Sequence, residues 1–286
     1  MSSAAAGTGG AGVLFLVSTP IGNLRDITYR AVEVLSSAAL VIAEDTRHSR
    51  RLLDHYRITT PLRSYHEHNE AKEVPRLVAM LKEGRSIALI SDAGTPLVSD
   101  PGSRIVDASV AAGIKVVPIP GASAVMAALV GGGLPLDRFT FFGFLPRKGK
   151  ERAEALTEMV SSRSTVVVYE APNRVADTLE DLVDAGAGER EAVVARELTK
   201  QFEEFRRGTV AELARVYREK EPRGEVVLLI RGVEVAPPSE SDLSEVATRL
   251  RAAGKSSRDV MEHLVLTLGA PRNLAYRIAH QGEPAQ

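Results

Sequence analysis

Ser91-Asp92-Ala93-Gly94-Thr95-Pro96-Leu97-Val98-Ser99-Asp100-Pro101 points to an open α/β sheet more clearly than any other segment of the chain. The residues just before it, Ile87-Ala88-Leu89-Ile90, are a short continuous apolar run, the pattern of a strand buried on both faces. At Ser91 the character changes at once to small, polar and ring-locked residues. Gly94 lets the backbone come close to a ligand because it has no Cβ. Pro96 and Pro101 fix φ and hold the loop in shape. Open α/β sheets bind ligands in such loops, at the C-terminal ends of parallel strands. Taken alone, the same residues also suit an ordinary tight strand-to-helix turn.

The neighbouring segments strengthen the ligand reading. Val13–Val17 predicts a first buried strand that runs into Ser18-Thr19-Pro20-Ile21-Gly22-Asn23-Leu24, with Asp26 placed to cap a helix over Ile27–Ser37. Leu40–Ala43 predicts a second strand, ending in the polar cluster Glu44-Asp45-Thr46-Arg47-His48 before a helix over Ser49–His55. Arg63–Tyr65 reads as a short strand. Glu73–Glu83 reads as an amphipathic helix ended by Gly84, and Gly102–Ala112 as a helix ended by Gly113. Lys115–Ile119 predicts a further strand, delivering Pro120-Gly121-Ala122-Ser123-Ala124. Strand after strand thus ends in a special loop. In a parallel sheet these ends share one edge, and their convergence says more than any single loop.

Composition narrows the chemistry. The chain has 286 residues, 44% of them hydrophobic, so one large or two modest domains with ample cores are expected. Its formal net charge of -1 places any nucleic-acid contact in local basic patches. The absence of cysteine excludes disulfides, thiolate catalysis and Cys-based metal centres, and fits a cytoplasmic protein. No apolar run approaches the roughly 20 residues that span a bilayer, so no membrane partner is expected. The first residues lack the basic region of a signal peptide, and 1–11 read as a disordered tail. His66-x-His68 has the spacing of metal ligands, but no third ligand can be named, so a polar loop or helix cap is expected and no metal site. The Gly-Lys-Ser/Thr run of a phosphate loop and the Gly-x-Gly-x-x-Gly dinucleotide fingerprint are both missing. The loops instead offer backbone groups, hydroxyls and carboxylates. These suit a compact ligand with a cation, an amino-acid head and an aromatic base.

The remainder predicts a second α/β layer. Gly131-Gly132-Gly133-Leu134-Pro135 marks a boundary. Strands are expected at Arg138–Leu145, Ser164–Tyr169, Glu191–Glu197, Phe202–Gly208 and Glu225–Arg231, forming a mixed sheet. Asn173 is placed to cap a helix running to about Ala185, and a further helix is expected over Val210–Arg218. Pro237-Pro238 breaks the chain before three helices, Ser239–Ala253, Ser256–Gly269 and Asn273–His280. The domain boundaries expected are 12–130 for an N-terminal α/β lobe, 131–236 for a C-terminal lobe and 237–286 for a helical extension. The basic loop Arg147, Lys148, Lys150 and Arg152 suits phosphate contacts, as it also suits a solvated helix start. The cations of the helical extension suit RNA or simple solubility equally.

Five motifs in order resemble the ribosomal RNA small subunit methyltransferase I family, a branch of the tetrapyrrole (corrin/porphyrin) methylases: Thr19-Pro20-Ile21-Gly22-Asn23-Leu24, Ala43-Glu44-Asp45-Thr46-Arg47, Ser91–Pro96, Asp100-Pro101-Gly102 and Pro120-Gly121. Gly143–Lys148, Tyr169–Arg174 and Ala195–Lys200 extend the similarity, which covers about residues 12–232. The resemblance implies an α/β fold of two lobes, of the class III methyltransferase type. It also implies S-adenosylmethionine as methyl donor, bound between the lobes of a homodimer. The implied substrate is a cytidine 2′-hydroxyl in the decoding region of 16S rRNA, within the small ribosomal subunit. Small-molecule members of the superfamily carry Gly-x-Gly-Pro-Gly in the first loop and Gly-Asp-Pro in the central one. Here Thr19–Asn23 and Gly94-Thr95-Pro96 stand there, which favours RNA over a tetrapyrrole. A tetrapyrrole C-methyltransferase and a non-catalytic rRNA-binding assembly factor are the alternatives.

On this resemblance the donor is expected against Pro20, Asp92, Ala93, Gly94, Thr95, Pro96, Val98, Ser99 and Pro120, Gly121, Ala122, Ser123, Ala124. Tyr169, Ala171, Ala195 and Arg196 would close over it from the second lobe. A ribose hydroxyl is a very weak acid, so a carboxylate that takes its proton is expected. Glu44 and Asp45 are the first candidates and Glu170 the next. Arg25, Arg47, Arg147, Lys148, Lys150, Arg152 and Arg174 are the candidate RNA contacts.

Overall fold

A computed structural model describes residues 11–234 and 239–281. The tail expected at 1–11 (Ala11 apart) and the break expected at Pro237-Pro238 lie outside the described residues. The chain divides into two compact units, one ending at Val233 and one beginning at Glu234.

The first unit contains two five-stranded sheets. Strands β1 (Leu14–Val17), β2 (Leu40–Ala43), β3 (Leu62–Ser64), β4 (Ile87–Ile90) and β5 (Val116–Ile119) are all parallel, in the order β3-β2-β4-β1-β5. Helices on both faces bury β2 and β4 completely, which is why these segments read as unbroken apolar runs. The two-residue period sorts them by face. Val41, Ala43, Ala88 and Ile90 pack with Ala31 and Leu35 of α1 (Tyr29–Ser37) and Leu53 of α2 (Thr46–His55). Leu40, Ile42, Ile87 and Leu89 pack with Leu77 and Leu81 of α3 (Glu70–Lys82) and Ile105 of α4 (Ser103–Ala111).

Helix starts depart from expectation where a nearer cap wins. Asp26 lies in a 3-10 turn, Leu24–Asp26, and Thr28 caps α1 instead, its Oγ1 accepting from the Ala31 amide at 3.1 Å. Asp45 brings the start of α2 forward to Thr46 by accepting from the amides of Arg47 and His48 at 2.8 and 3.4 Å. Each such cap is worth about 1 kcal/mol.

The second sheet is mixed, with order β6-β7-β10-β8-β9. Its strands are β6 (Phe139–Phe144), β7 (Thr165–Glu170), β8 (Glu191–Arg196), β9 (Glu204–Thr209) and β10 (Val226–Ile230). Only β6 and β7 pair in parallel. One face, with Val166, Val168, Val194 and Leu228, packs with side chains of α6 (Lys150–Ser161), α7 (Val175–Leu182) and α8 (Val210–Glu219). The other face, with Val167, Val193 and Leu229, receives Val125, Ala128 and Leu129 of α5 (Ala124–Gly132). Helix α5 leaves the last loop of the first sheet, so that loop is carried against the second sheet. Asn173 does not cap α7. It sits in a 3-10 turn opened by Pro172, and α7 begins at Val175 without a side-chain cap.

The second unit is a three-helix cluster: α9 (Glu240–Ala252), α10 (Ser257–Leu266) and α11 (Arg272–Ala279). Leu243, Val260, Leu264, Ala275 and Ile278 form its core. Reciprocal caps, Ser239 with Asp242 and Ser256 with Asp259, start the first two helices. Two of its cations are paired, Arg258 with Glu262 at 3.3 Å and Arg277 with Glu240 at 3.0 Å.

Candidate active site

The loop after β4 is the hub to which the other strand-end loops are tied. Thr19 and Gly94 exchange both backbone hydrogen bonds, at 2.8 and 3.1 Å. Ser18 Oγ donates to Thr95 Oγ1 at 3.1 Å, and Thr95 Oγ1 donates to the Ala122 carbonyl at 3.3 Å. The Asp45 amide donates to Asp92 Oδ1 at 3.2 Å. All four loops expected to converge are therefore joined through residues 92–95. Gly94 has φ +81, open to glycine and strained for other residues. Leu97 and Ser99 also take left-handed φ, 70 and 66, at a cost of about 1–3 kcal/mol each. Such strain persists only where the surroundings hold it in place.

A cavity of ≈ 320 Å³ opens between this hub and the second sheet. Of the residues expected to hold the donor, Asp92, Ala93, Gly94, Thr95, Val98, Ser99, Ser123 and Ala124 line it from the first sheet, and Tyr169 and Ala171 from the second. The rest of the expected set lies elsewhere. Pro20 and Pro96 are buried beneath the loops. Ala122 supports the hub through its carbonyl, and none of Pro120, Gly121 and Ala122 lines the cavity. Ala195 is in the core below it, and Arg196 is turned to Glu204, Nε to Oε2 2.6 Å.

Sequence reading missed other walls: Ile21, Asp100, Phe144, Pro172 and the run Gly224–Val227. Val226 and Val227 stand opposite Glu170 and Tyr169 in the β7–β10 pairing. Phe144 follows a register shift in β6 and lies 5.4 Å, ring to ring, from Tyr169. Nothing in a short apolar strand announces such a wall. Asp100 was within the quoted stretch, and its adjacency to Pro101 was the available signal.

The candidate carboxylates differ sharply. Asp45 caps α2 and pairs with Arg47 at 3.2 Å, and these bonds hold its carboxyl below the usual range. Glu170 is fully buried and committed: Thr178 Oγ1 and the Ala171 amide donate to it at 2.6 and 2.9 Å, and Arg174 Nε lies 3.3 Å away. Glu44 is exposed and lines an acidic hollow of ≈ 400 Å³ with Glu67, Glu70 and Asp100. Asp100 borders both spaces; burial first, then Glu44 and Asp92, push its carboxyl up to about 6. Burial, then Asp100, raises the Tyr169 phenol.

The basic candidates separate likewise. Arg25, Arg47, Arg147, Lys148 and Lys150 are exposed. Arg152 is not: it binds Asp181, Thr178 and the Pro146 carbonyl. Arg174 holds the carbonyls of Leu145 and Pro146 at 3.0 and 3.2 Å. Both are partly buried struts that brace the basic loop from below. His66 and His68 meet ring to ring at 5.9 Å, and among the described residues no three His, Asp or Glu side chains are placed to hold one metal ion. No described helix is long and apolar enough to cross a membrane.

Comparison with known proteins agrees with this architecture. The family model of the tetrapyrrole (corrin/porphyrin) methylases matches residues 13–214. A ribosomal RNA small subunit methyltransferase I of Halalkalibacterium halodurans is 44% identical over 276 residues, 94% of this chain and 95% of that protein. The Pseudomonas aeruginosa protein of the same name is 50% identical over 242 residues, 84% of this chain and 86% of that protein. A uroporphyrin-III C-methyltransferase of Thermus thermophilus, solved in complex with S-adenyl homocysteine, shares the fold at a TM-score of 0.56 and 18% identity, over 77% of this chain and 97% of that one. With its all-parallel first sheet, mixed second sheet and these relatives, the chain belongs to the ribosomal RNA small subunit methyltransferase I family of the tetrapyrrole methylases.

Proposed function

We propose that this protein methylates the ribose 2′-hydroxyl of a cytidine in the decoding region of 16S rRNA, with S-adenosylmethionine as donor, in the cytoplasm and as a homodimer. The observation that carries the reading is the cavity between the stitched loops and the second sheet. Its size lies in the range of small-molecule sites. Its walls match the donor's parts. Asp92 and Glu225 supply negative charge for an amino group and a sulfonium. The apolar faces of Phe144 and Tyr169, with Ile21 and Val227, suit an adenine ring. The relatives' names point to rRNA of the small subunit as the acceptor.

When bound, S-adenosylmethionine supplies a methyl group activated by a positively charged sulfur. The protein's own contribution is placement. The rigid hub fixes one wall and α5 fixes its distance from the second sheet, so an acceptor entering from the rim meets a pre-set geometry. Arg25, Arg47, Arg147, Lys148 and Lys150 are the exposed cations assigned to the RNA backbone. A 2′-hydroxyl acceptor also separates RNA from DNA.

The test is transfer of tritiated methyl from the donor to small ribosomal subunits from a strain lacking this gene, followed by mapping of 2′-O-methylation. One methyl per subunit on a decoding-region cytidine is expected. Transfer to a tetrapyrrole instead, or RNA binding without transfer, would replace the reading with one of its two rivals.

A further inference from the structure

Eight carboxylates line or adjoin the two spaces, and the other candidates among them have other duties or other places. Asp45 is a helix cap. Glu170 is held by Thr178, Ala171 and Arg174. Asp92 accepts from the Asp45 amide. Glu44 is exposed and does not line the donor cavity. Asp100 alone of these carboxylates lines both the cavity and the acidic hollow. Among the described residues its carboxylate has no hydrogen-bond donor and no cation beside it. The backbone at Leu97 and Ser99 takes left-handed φ just before it, so the loop holds Asp100 in place at a conformational cost.

A half-buried, unpaired carboxylate costs the fold stability, and such costs cluster at functional sites. We propose that Asp100 is a catalytic residue, the base that takes the proton of the attacking ribose hydroxyl at the seam where the cavity and the hollow meet. The proposal rests on the ribose-methylation reading above. In the step assigned to it, the 2′-oxygen forms a bond to the methyl carbon. The carbon–sulfur bond breaks with its electron pair left on sulfur, and the hydroxyl proton passes to an Asp100 oxygen and then to water. Burial first, then Glu44 from the end of β2 and Asp92 from its own loop, raise the proton affinity of Asp100, and Tyr169 from β7 also faces it. Glu67 and Glu70 share the hollow, Glu70 already bonded to Arg104 at 2.8 Å, while Glu170 and Glu225 share the cavity. Negative neighbours and burial make Asp100 a better base than a free aspartate, near 6 in place of 3.8.

Asp100→Asn tests this in two ways. With wild-type protein, kcat/KM for small subunits is expected to rise with pH through about 6 and then level off. In Asp100→Asn that limb should vanish and kcat fall by roughly 10²–10⁴-fold, with KM for the subunit little changed. The second readout needs no activity. Because the folded carboxyl titrates above the unfolded one, the wild type loses stability as pH rises from about 4 to about 6. Asp100→Asn should therefore melt about 2–4 °C higher than wild type at pH 8, with a smaller difference at pH 4. Full transfer by Asp100→Asn with an unaltered pH profile would overturn the proposal and leave the methylation reading intact. So would loss of the limb in Glu44→Gln but not in Asp100→Asn. A wild type that methylates no rRNA would instead defeat the underlying reading, whatever the melting data.

Discussion

The two sheets of the first unit build their shared cavity in different ways. The first sheet is all parallel, so its strands end together and present loops: backbone amides, hydroxyls and small residues at Asp92–Thr95, Ser99 and Ser123. The second sheet is mixed and presents strands and their ends: Phe144, Tyr169 and the Val226–Val227 edge of β10. One side supplies polar geometry and the other an apolar wall. Polar groups then fix a ligand's orientation while the wall excludes water. The division also assigns different consequences to damage on each side.

The largest effect is expected from the buried anchor of the second sheet. Glu170→Ala leaves Thr178 and the partly buried Arg174 without their partner and should cost about 3 kcal/mol or more, read as a lower urea midpoint. Next is the hub of the first sheet. Gly94→Val places a branched side chain at φ +81, its Cβ 3.3 Å from Ile21 Cγ2. It should weaken donor binding by roughly 30-fold or more, about 2 kcal/mol, while the second sheet stays folded. The exposed basic loop comes third. Arg147→Glu with Lys148→Glu should reduce RNA affinity about tenfold at moderate salt and lower the salt slope by roughly 1.5, with donor affinity unchanged. The smallest effect belongs to a single stitch: Thr95→Val removes the Ser18–Thr95–Ala122 relay and should cost about 1 kcal/mol in thermal stability. If Gly94→Val left donor binding intact while Tyr169→Ala abolished it, the division of labour would be reversed.

The same contrast explains what was legible in the sequence. Leu40–Ala43 and Ile87–Ile90 are strands at the expected residues because burial on both faces leaves only apolar residues to read. The loops that follow them are legible because each polar change begins where a strand stops. The apolar wall was not, because Phe144, Val226 and Val227 look like any core residues until the pairing of β6, β7 and β10 aims them. Arg152 and Arg174 misled for the opposite reason. Their charge suits RNA, but long side chains reach Asp181, Thr178 and backbone carbonyls that are distant in sequence. Asp45 and Glu170 are acidic at the right strand ends, and only their hydrogen bonds reveal that they are committed to structure.

Calorimetric titration of S-adenosylmethionine into the folded protein and into folded Gly94→Val asks whether the cavity holds the donor. One donor bound per chain by the wild type, with roughly 30-fold weaker uptake by the variant, is the result expected of a cavity built on the Thr19–Gly94 bridge. No heat of binding from the wild type, or equal affinity in the two proteins, would contradict it.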